Sequence, residues 1–351
     1  MEHPYHTDSV RAHLERIYQT VDEDATKRVR DAESLRLWQA EARPRLRTLI
    51  GLDTIEASRG THTPRVELGE AEGFDGYTRQ ACVIETEPGF RLPFWFLRPE
   101  GSGPFPLAVT PHGHDPYGPD SSVGLAHDEE HRAKIEQEDR DVAVQAVRRG
   151  FAAIAPAARG TSSTCIPDIN GRHGNSNCRS ELIHALLAGR TAMGERVWDV
   201  MRLIDWADGQ DDIDTGTVLV VGNSGGGVIT LYTAAVDERI TVAIPSCSYC
   251  TIVGETGLVH HCDCNTVPGV ERFGEVWDIA ALIAPRRLLV VNGREDSLFP
   301  IREVERAIER LAQIYRRAGA ADLLRHEYGP EGHRLYADLM WPFVERAIDS
   351  R

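Results

Sequence analysis

No apolar run in this 351-residue chain approaches the roughly 20 residues that a membrane-crossing helix needs. A basic excess is also missing. There are 39 Lys and Arg against 54 Asp and Glu, a formal charge of -15, which argues against nucleic acid or an anionic membrane as a partner. The opening Met1-Glu2-His3-Pro4-Tyr5-His6 lacks the basic-then-apolar layout of a secretory signal, so a cytoplasmic location is expected. Seven cysteines is an odd number in a long chain, which disfavours a disulfide scaffold and favours reduced thiols. There is no internal repeat and no low-complexity tract. What remains is ordinary globular material, 41% hydrophobic and 26% charged, enough for one large core or two modest ones.

Against that background one segment stands out. Gly222-Asn223-Ser224-Gly225-Gly226 follows the apolar run Thr217–Val221 and precedes the helix-like Gly227–Ala235. Strand, tight turn and helix with a serine at the apex is the G-x-S-x-G arrangement. Its glycines let backbones pass closely while the hydroxyl is held exposed above a sheet. A serine needs a base to take its proton and an acid to orient that base. In chain order the acid fits Asp296, just past the strand ending at Asn292, with neighbouring Glu295 as its competitor. The base fits His333, in the loop after the last strand. The oxyanion of an acyl-transfer intermediate needs two donors. They are expected to be the backbone amides of Gly225 and of His114, the latter in Pro111-His112-Gly113-His114 after the Leu107–Thr110 strand.

The rest of the chain reads as alternating strands and helices. The N-terminal segment, residues 1–60, is read as a charged helical extension with Leu14, Ile17, Tyr18 and Val21 at helical spacing, interrupted at Arg43-Pro44. Residues 61–351 form the catalytic domain. A hairpin turns at Glu87-Pro88-Gly89. One helix is expected over 129–149, and an irregular loop over residues 160–180. Further strands fall at 151–156, 240–245, 287–292 and 323–328, and a second long loop spans residues 246–273. This alternation predicts an α/β fold with a mostly parallel central sheet flanked by helices.

Cys247, Cys250, His260, His261, Cys262 and Cys264 crowd one stretch and raise the question of zinc. Cys-x-Cys is tighter than the usual structural spacing, and buried free cysteine is a common core residue. The expectation is therefore no metal and no cofactor, with this loop walling the substrate pocket. His112-x-His114 is likewise not read as a metal pair.

With Ser224, Asp296 and His333 in place, the chain resembles the α/β-hydrolase superfamily over about residues 80–350. Gly189-Arg190-Thr191 through Trp198–Arg202, Gly222–Gly227, and Asn265–Pro300 with Val267-Pro268-Gly269 and Val291–Asp296 are similar to bacterial acetyl xylan esterase-like and dienelactone hydrolase-like proteins. The resemblance implies a serine carboxylesterase acting on small acyl esters, without a cofactor. Dienelactone hydrolases carry a cysteine where this chain has Ser224. The rival readings are a prolyl-oligopeptidase-like peptidase, a binding protein on a hydrolase scaffold, and a zinc hydrolase. Homo-oligomerisation is left open.

Overall fold

Alternate residues of the central strands belong to different cores. Val218 and Val220 pack into one apolar cluster, while Leu219 and Val221 pack into another. Leu288 and Val290 divide from Leu289 and Val291 in the same way. Successive side chains of a strand point to opposite faces, so runs this apolar require cover on both sides.

The computed structural model describes residues 7–19, 24–161, 177–254 and 257–349. Its strands are β1 (Arg65–Phe74), β2 (Tyr77–Glu87), β3 (Phe90–Pro99), β4 (Phe105–Val109), β5 (Ala152–Pro156), β6 (Ile213–Asn223), β7 (Val242–Ser246), the short β8 (Val253–Gly254) and β9 (Gly257–Leu258), β10 (Arg287–Gly293) and β11 (Leu324–Gly329). The helices are α1 (Thr7–Gln19), α2 (Asp24–Arg28), α3 (Ala32–Leu49), α4 (Leu52–Arg59), α5 (Glu129–Gln137), α6 (Val142–Val147), α7 (Asn177–Leu187), α8 (Ala192–Asp208), α9 (Gly225–Val236), α10 (Val270–Phe273), α11 (Val276–Ala281), α12 (Ile301–Arg317) and α13 (Ala337–Asp349). Nine strands form one sheet in the order β1-β2-β3-β5-β4-β6-β7-β10-β11, and β8 and β9 pair separately. From β5 to β11 every pairing is parallel, while β1, β2 and β3 join antiparallel at one edge. Helices α6 and α13 contribute to one face, and α3, α4, α8, α9, α11 and α12 to the other.

The first helices share the larger core, with Trp38, Leu46, Ile50 and Ile55 buried in it. The junction with α8 is tight. A Cβ on Gly194 would sit 1.9 Å from the Ile50 carbonyl oxygen, and Thr191 Oγ1 donates to that same oxygen at 2.7 Å while capping α8.

Several expectations change. Pro44 lies inside α3 without ending it. Gln39 donates to the carbonyls of Ala281 and Ala284, and Arg43 to those of Ala235 and Leu282. These anchors hold the helix through a missing backbone donor that costs about 3 kcal/mol. The expected 129–149 helix is two helices, because Asp139 adopts φ 54 and accepts hydrogen bonds from Arg334 and the Ala337 amide. Leu14 and Ile17 lie on α1 as expected but are 42% and 46% exposed; Val21 is outside the described residues. Of the 160–180 segment, residues 162–176 are outside them too, and α7 begins at Asn177. The β1 strand, rich in glutamate and lacking an apolar face, carried no strand signal.

Candidate active site

Ser224 ends β6 and starts α9 with φ 57 and ψ -124. A side-chain-bearing residue adopts that conformation only under constraint from its neighbours. The constraint here is backbone crowding. A Cβ on Gly226 would lie 2.0 Å from the Pro111 carbonyl oxygen, and one on Gly222 would lie 2.5 Å from the Gly226 carbonyl carbon. The Ser224 amide donates to the Ser246 carbonyl at 2.9 Å, tying the turn to the end of β7.

The loop after β4 presses on this turn. A Cβ on Gly113 would come 3.1 Å from the Gly225 nitrogen and 3.1 Å from Ser224 Cβ. His112 secures the loop: the Ala158 amide donates to its Nε2 at 2.9 Å, so Nδ1 carries the proton and donates to the Gly113 carbonyl at 2.7 Å. Burial pushes its pKa down to about 4, and the neutral ring with both nitrogens engaged is a strut.

Asp296 and His333 come together. Asp296 Oδ2 lies 2.7 Å from His333 Nδ1, and the carboxylate side chain is fully buried. The carboxylate accepts the Nδ1 proton, which leaves Nε2 of His333 as the basic nitrogen. Glu295, the competitor, is exposed. A Cβ on Gly293 would lie 2.0 Å from the Gly332 carbonyl oxygen, so a bare backbone there lets the two loops meet. Cys247, with φ 41, lies beneath this pair. Burial pushes its thiol up to about 12.

The hydroxyl of Ser224 itself faces a different imidazole. His261 Nε2 is 3.1 Å from Ser224 Oγ. The side-chain nitrogen of Asn265 contacts His261 Nδ1. An amide NH2 can only donate, so Nδ1 accepts, the ring proton sits on Nε2, and His261 donates toward the serine oxygen. Burial pushes the pKa of His261 down to about 4, helped by the neighbouring His114 and His333, consistent with a neutral ring. Sequence reasoning gave His261 no such role. Its only signal was the crowded His260-His261-Cys262-Asp263-Cys264 stretch.

The six-residue cluster does not act as one group. Cys247 sits under Asp296 and Cys250 packs with Phe299 and Val304. Cys262 and Cys264 instead meet His114 from the β4 loop and Cys178 from α7, and Arg196 Nη1 donates to Cys264 Sγ at 3.1 Å. Behind them lies an ion network. Arg159, 5% exposed, reaches Asp199 at 2.7 Å, Glu87 at 2.8 Å and Glu195 at 3.6 Å, and Arg190 pairs with Glu87 and Glu195.

Ser224, His261 and His333 open on a cavity of about 370 Å³, whose wall includes Asp115, Glu138, Arg140 and Leu298. Arg140 pairs with Asp115 at 2.7 Å and with Glu138 at 2.6 Å. A second cavity of about 840 Å³, lined by Tyr232, Val259, Phe273 and Phe299 among others, shares His261 and Cys262 with the first. The loop from residue 246 thus walls both.

The family model for X-Pro dipeptidyl-peptidases (S15 family) matches residues 88–267, half of the chain. The Bacillus subtilis protein YtaP is 30% identical over 151 residues, 42% of this chain and 50% of its own length. The chain therefore spans about half the length of that curated relative. Among solved structures, a methylesterase superposes with a TM-score of 0.70 at 22% identity, covering 98% of this chain and 69% of its own. A glucuronoyl esterase from Solibacter usitatus superposes with a TM-score of 0.64 at 17% identity, covering 91% and 94%. At such identities these two likenesses speak for the fold. It is the α/β-hydrolase fold, with its mostly parallel sheet.

Proposed function

The chain belongs to the X-Pro dipeptidyl-peptidase (S15) family, and we propose that it acts within that family as a serine hydrolase of small carboxylic esters. The observation that carries the reading is the buried Asp296–His333 pair beside a serine held at φ 57. Ser224 would attack the ester carbonyl as His333 Nε2 takes its proton, and Asp296 would steady the imidazolium. The amides of Gly225 and His114 would hold the oxyanion. His333 would then protonate the leaving alcohol, and water would release the acyl group through the same base. In the resting state the serine oxygen is occupied by His261. Rotation about Ser224 Cα–Cβ would exchange that contact for His333 and leave the His261 Nε2 proton free for a substrate oxygen.

A dipeptidyl peptidase must bind a substrate ammonium group, which calls for an uncommitted carboxylate in the pocket. Among the described residues, the carboxylates in the wall of the serine cavity are Asp115 and Glu138, and both are engaged by Arg140. An ester without a cationic terminus suits this pocket better, and about 370 Å³ suits a short acyl group. The esterases among the structural neighbours are in keeping with that. The free thiols of Cys82, Cys247, Cys250, Cys262 and Cys264 favour a reducing, cytoplasmic setting.

The test compares p-nitrophenyl acetate, butyrate and octanoate with an alanyl-prolyl anilide, using wild type and Ser224→Ala. The expected result is ester turnover that falls with acyl length, little anilide turnover, and a loss of about 10⁴-fold or more in the variant. Preferred cleavage of the anilide would overturn the ester assignment, and full activity in Ser224→Ala would overturn the nucleophile.

A further inference from the structure

Three thiols and one imidazole converge from segments far apart in sequence. Cys178 Sγ and Cys262 Sγ lie 3.7 Å apart, and Cys262 Sγ and Cys264 Sγ 3.5 Å apart. His114 Nε2 lies 3.2 Å from both Cys262 Sγ and Cys264 Sγ. All four atoms fall within 4.8 Å of one another. With a zinc–sulfur distance of about 2.3 Å, a tetrahedral site has sulfur–sulfur edges of about 3.8 Å and nitrogen–sulfur edges of about 3.5 Å. The observed edges are close to these values. They are far longer than the roughly 2.05 Å of a disulfide, and there is little reason for three sulfurs to gather around one imidazole nitrogen without something to bind them.

We propose that His114, Cys178, Cys262 and Cys264 hold a thiophilic divalent cation of the zinc class. Charge agrees with the geometry. Three thiolates and a neutral imidazole around a dication leave one net negative charge, and the buried Arg196 guanidinium donates to Cys264 Sγ at 3.1 Å, supplying the balancing positive charge. Soft sulfur ligands select zinc over magnesium or calcium. Four protein ligands close the coordination sphere, which makes the site structural and not hydrolytic.

Its position gives it a task. His114 follows the Gly113 backbone that presses on Ser224 and Gly225, and Cys262 directly follows His261, the partner of the serine oxygen. Cys178 lies in the first turn of α7. One ion would therefore pin the oxyanion loop, the His261 loop and α7 together around the nucleophile. The expectation of no metal, drawn from Cys-x-Cys spacing and from buried free cysteine being a common core residue, did not weigh this set of four, because Cys178 and His114 are 84 and 148 residues from Cys262. The proposal stands independently of the ester assignment.

The experiment strips the reduced full-length protein with a chelator, reloads it with Zn²⁺ or Co²⁺, and measures metal by mass spectrometry. About one ion per chain is expected, and the cobalt form should show thiolate charge-transfer and tetrahedral ligand-field absorption. Iodoacetamide mapping of wild type should find Cys178, Cys262 and Cys264 protected with metal and alkylated without it, and Cys250 indifferent. Cys178→Ser and Cys264→Ser should each lower retention against a competing chelator by about tenfold or more, and Cys250→Ser should not. Reloaded protein with well under one ion per chain, metal retention unchanged in both serine variants, or a Cys178–Cys262 disulfide in protein kept reduced would each overturn the proposal. The wild-type alkylation map keeps the test decisive if a variant misfolds.

Discussion

Replacing Arg159 with methionine tests the buried ion network behind the site. The guanidinium is 5% exposed, and its three carboxylate partners Asp199, Glu87 and Glu195 have side chains 4%, 8% and 10% exposed. It also lies 3.7 Å over the Phe90 ring. After Arg159→Met, Glu87 and Glu195 retain Arg190 as a cation, whereas Asp199 loses its bidentate partner. Stranding buried charge costs about 3–5 kcal/mol. An unfolding entropy of about 2.1 cal/mol/K per residue over 351 residues gives about 0.74 kcal/mol/K, so the melting temperature should fall by about 4–7 °C. Differential scanning calorimetry reads this directly. Adding Asp199→Leu should recover much of the loss, because an apolar pair replaces a broken ionic one. A fall of under about 1 °C in the single variant, or a double variant no better than the single, would refute the reasoning.

His333→Ala should lower kcat about 10³-fold or more and abolish fluorophosphonate labelling of Ser224, while His261→Ala should keep labelling and lose about 10- to 100-fold; the reverse ranking would assign the base to His261. Gly293→Ala, whose methyl would meet the Gly332 carbonyl at 2.0 Å, should separate Asp296 from His333 and cut kcat with little change in KM; unchanged kinetics would mean the loops have slack. Burial pushes His326 from 6.5 down to about 4. A depressed folded-state pKa gives stability that is present above about 6.5 and is lost as the pH falls toward 4. Urea titrations over that range should show a decline of at most about 1.4 kcal/mol per pH unit from this proton, flattened in His326→Gln; an equal slope in the variant would sink the assignment.

The parallel core was legible because its strands are continuous apolar runs, and a strand followed by Gly-x-Ser-x-Gly and an apolar helix leaves few other folds. The pairing of Asp296 with His333 was legible because each follows a strand in the expected order. His261 was not. Its contact with Ser224 depends on how a loop with no periodicity folds back across 37 residues. Pro44 and Asp139 show local rules overridden in both directions, by tertiary hydrogen bonds that carry a helix through a proline and break another at an aspartate. The β1 strand is held by pairing with β2, and pairing leaves no mark on composition.

That antiparallel margin has a practical use. The turn between β1 and β2 at Asp75-Gly76 carries Gly76 at φ 82 with open space around its α-carbon. Five strand spacings separate β1 from β6, roughly 24 Å at about 4.8 Å each. A tether placed there, to a bead, an electrode or a second enzyme, would hold the molecule by its far rim with the reactive mouth clear of the support.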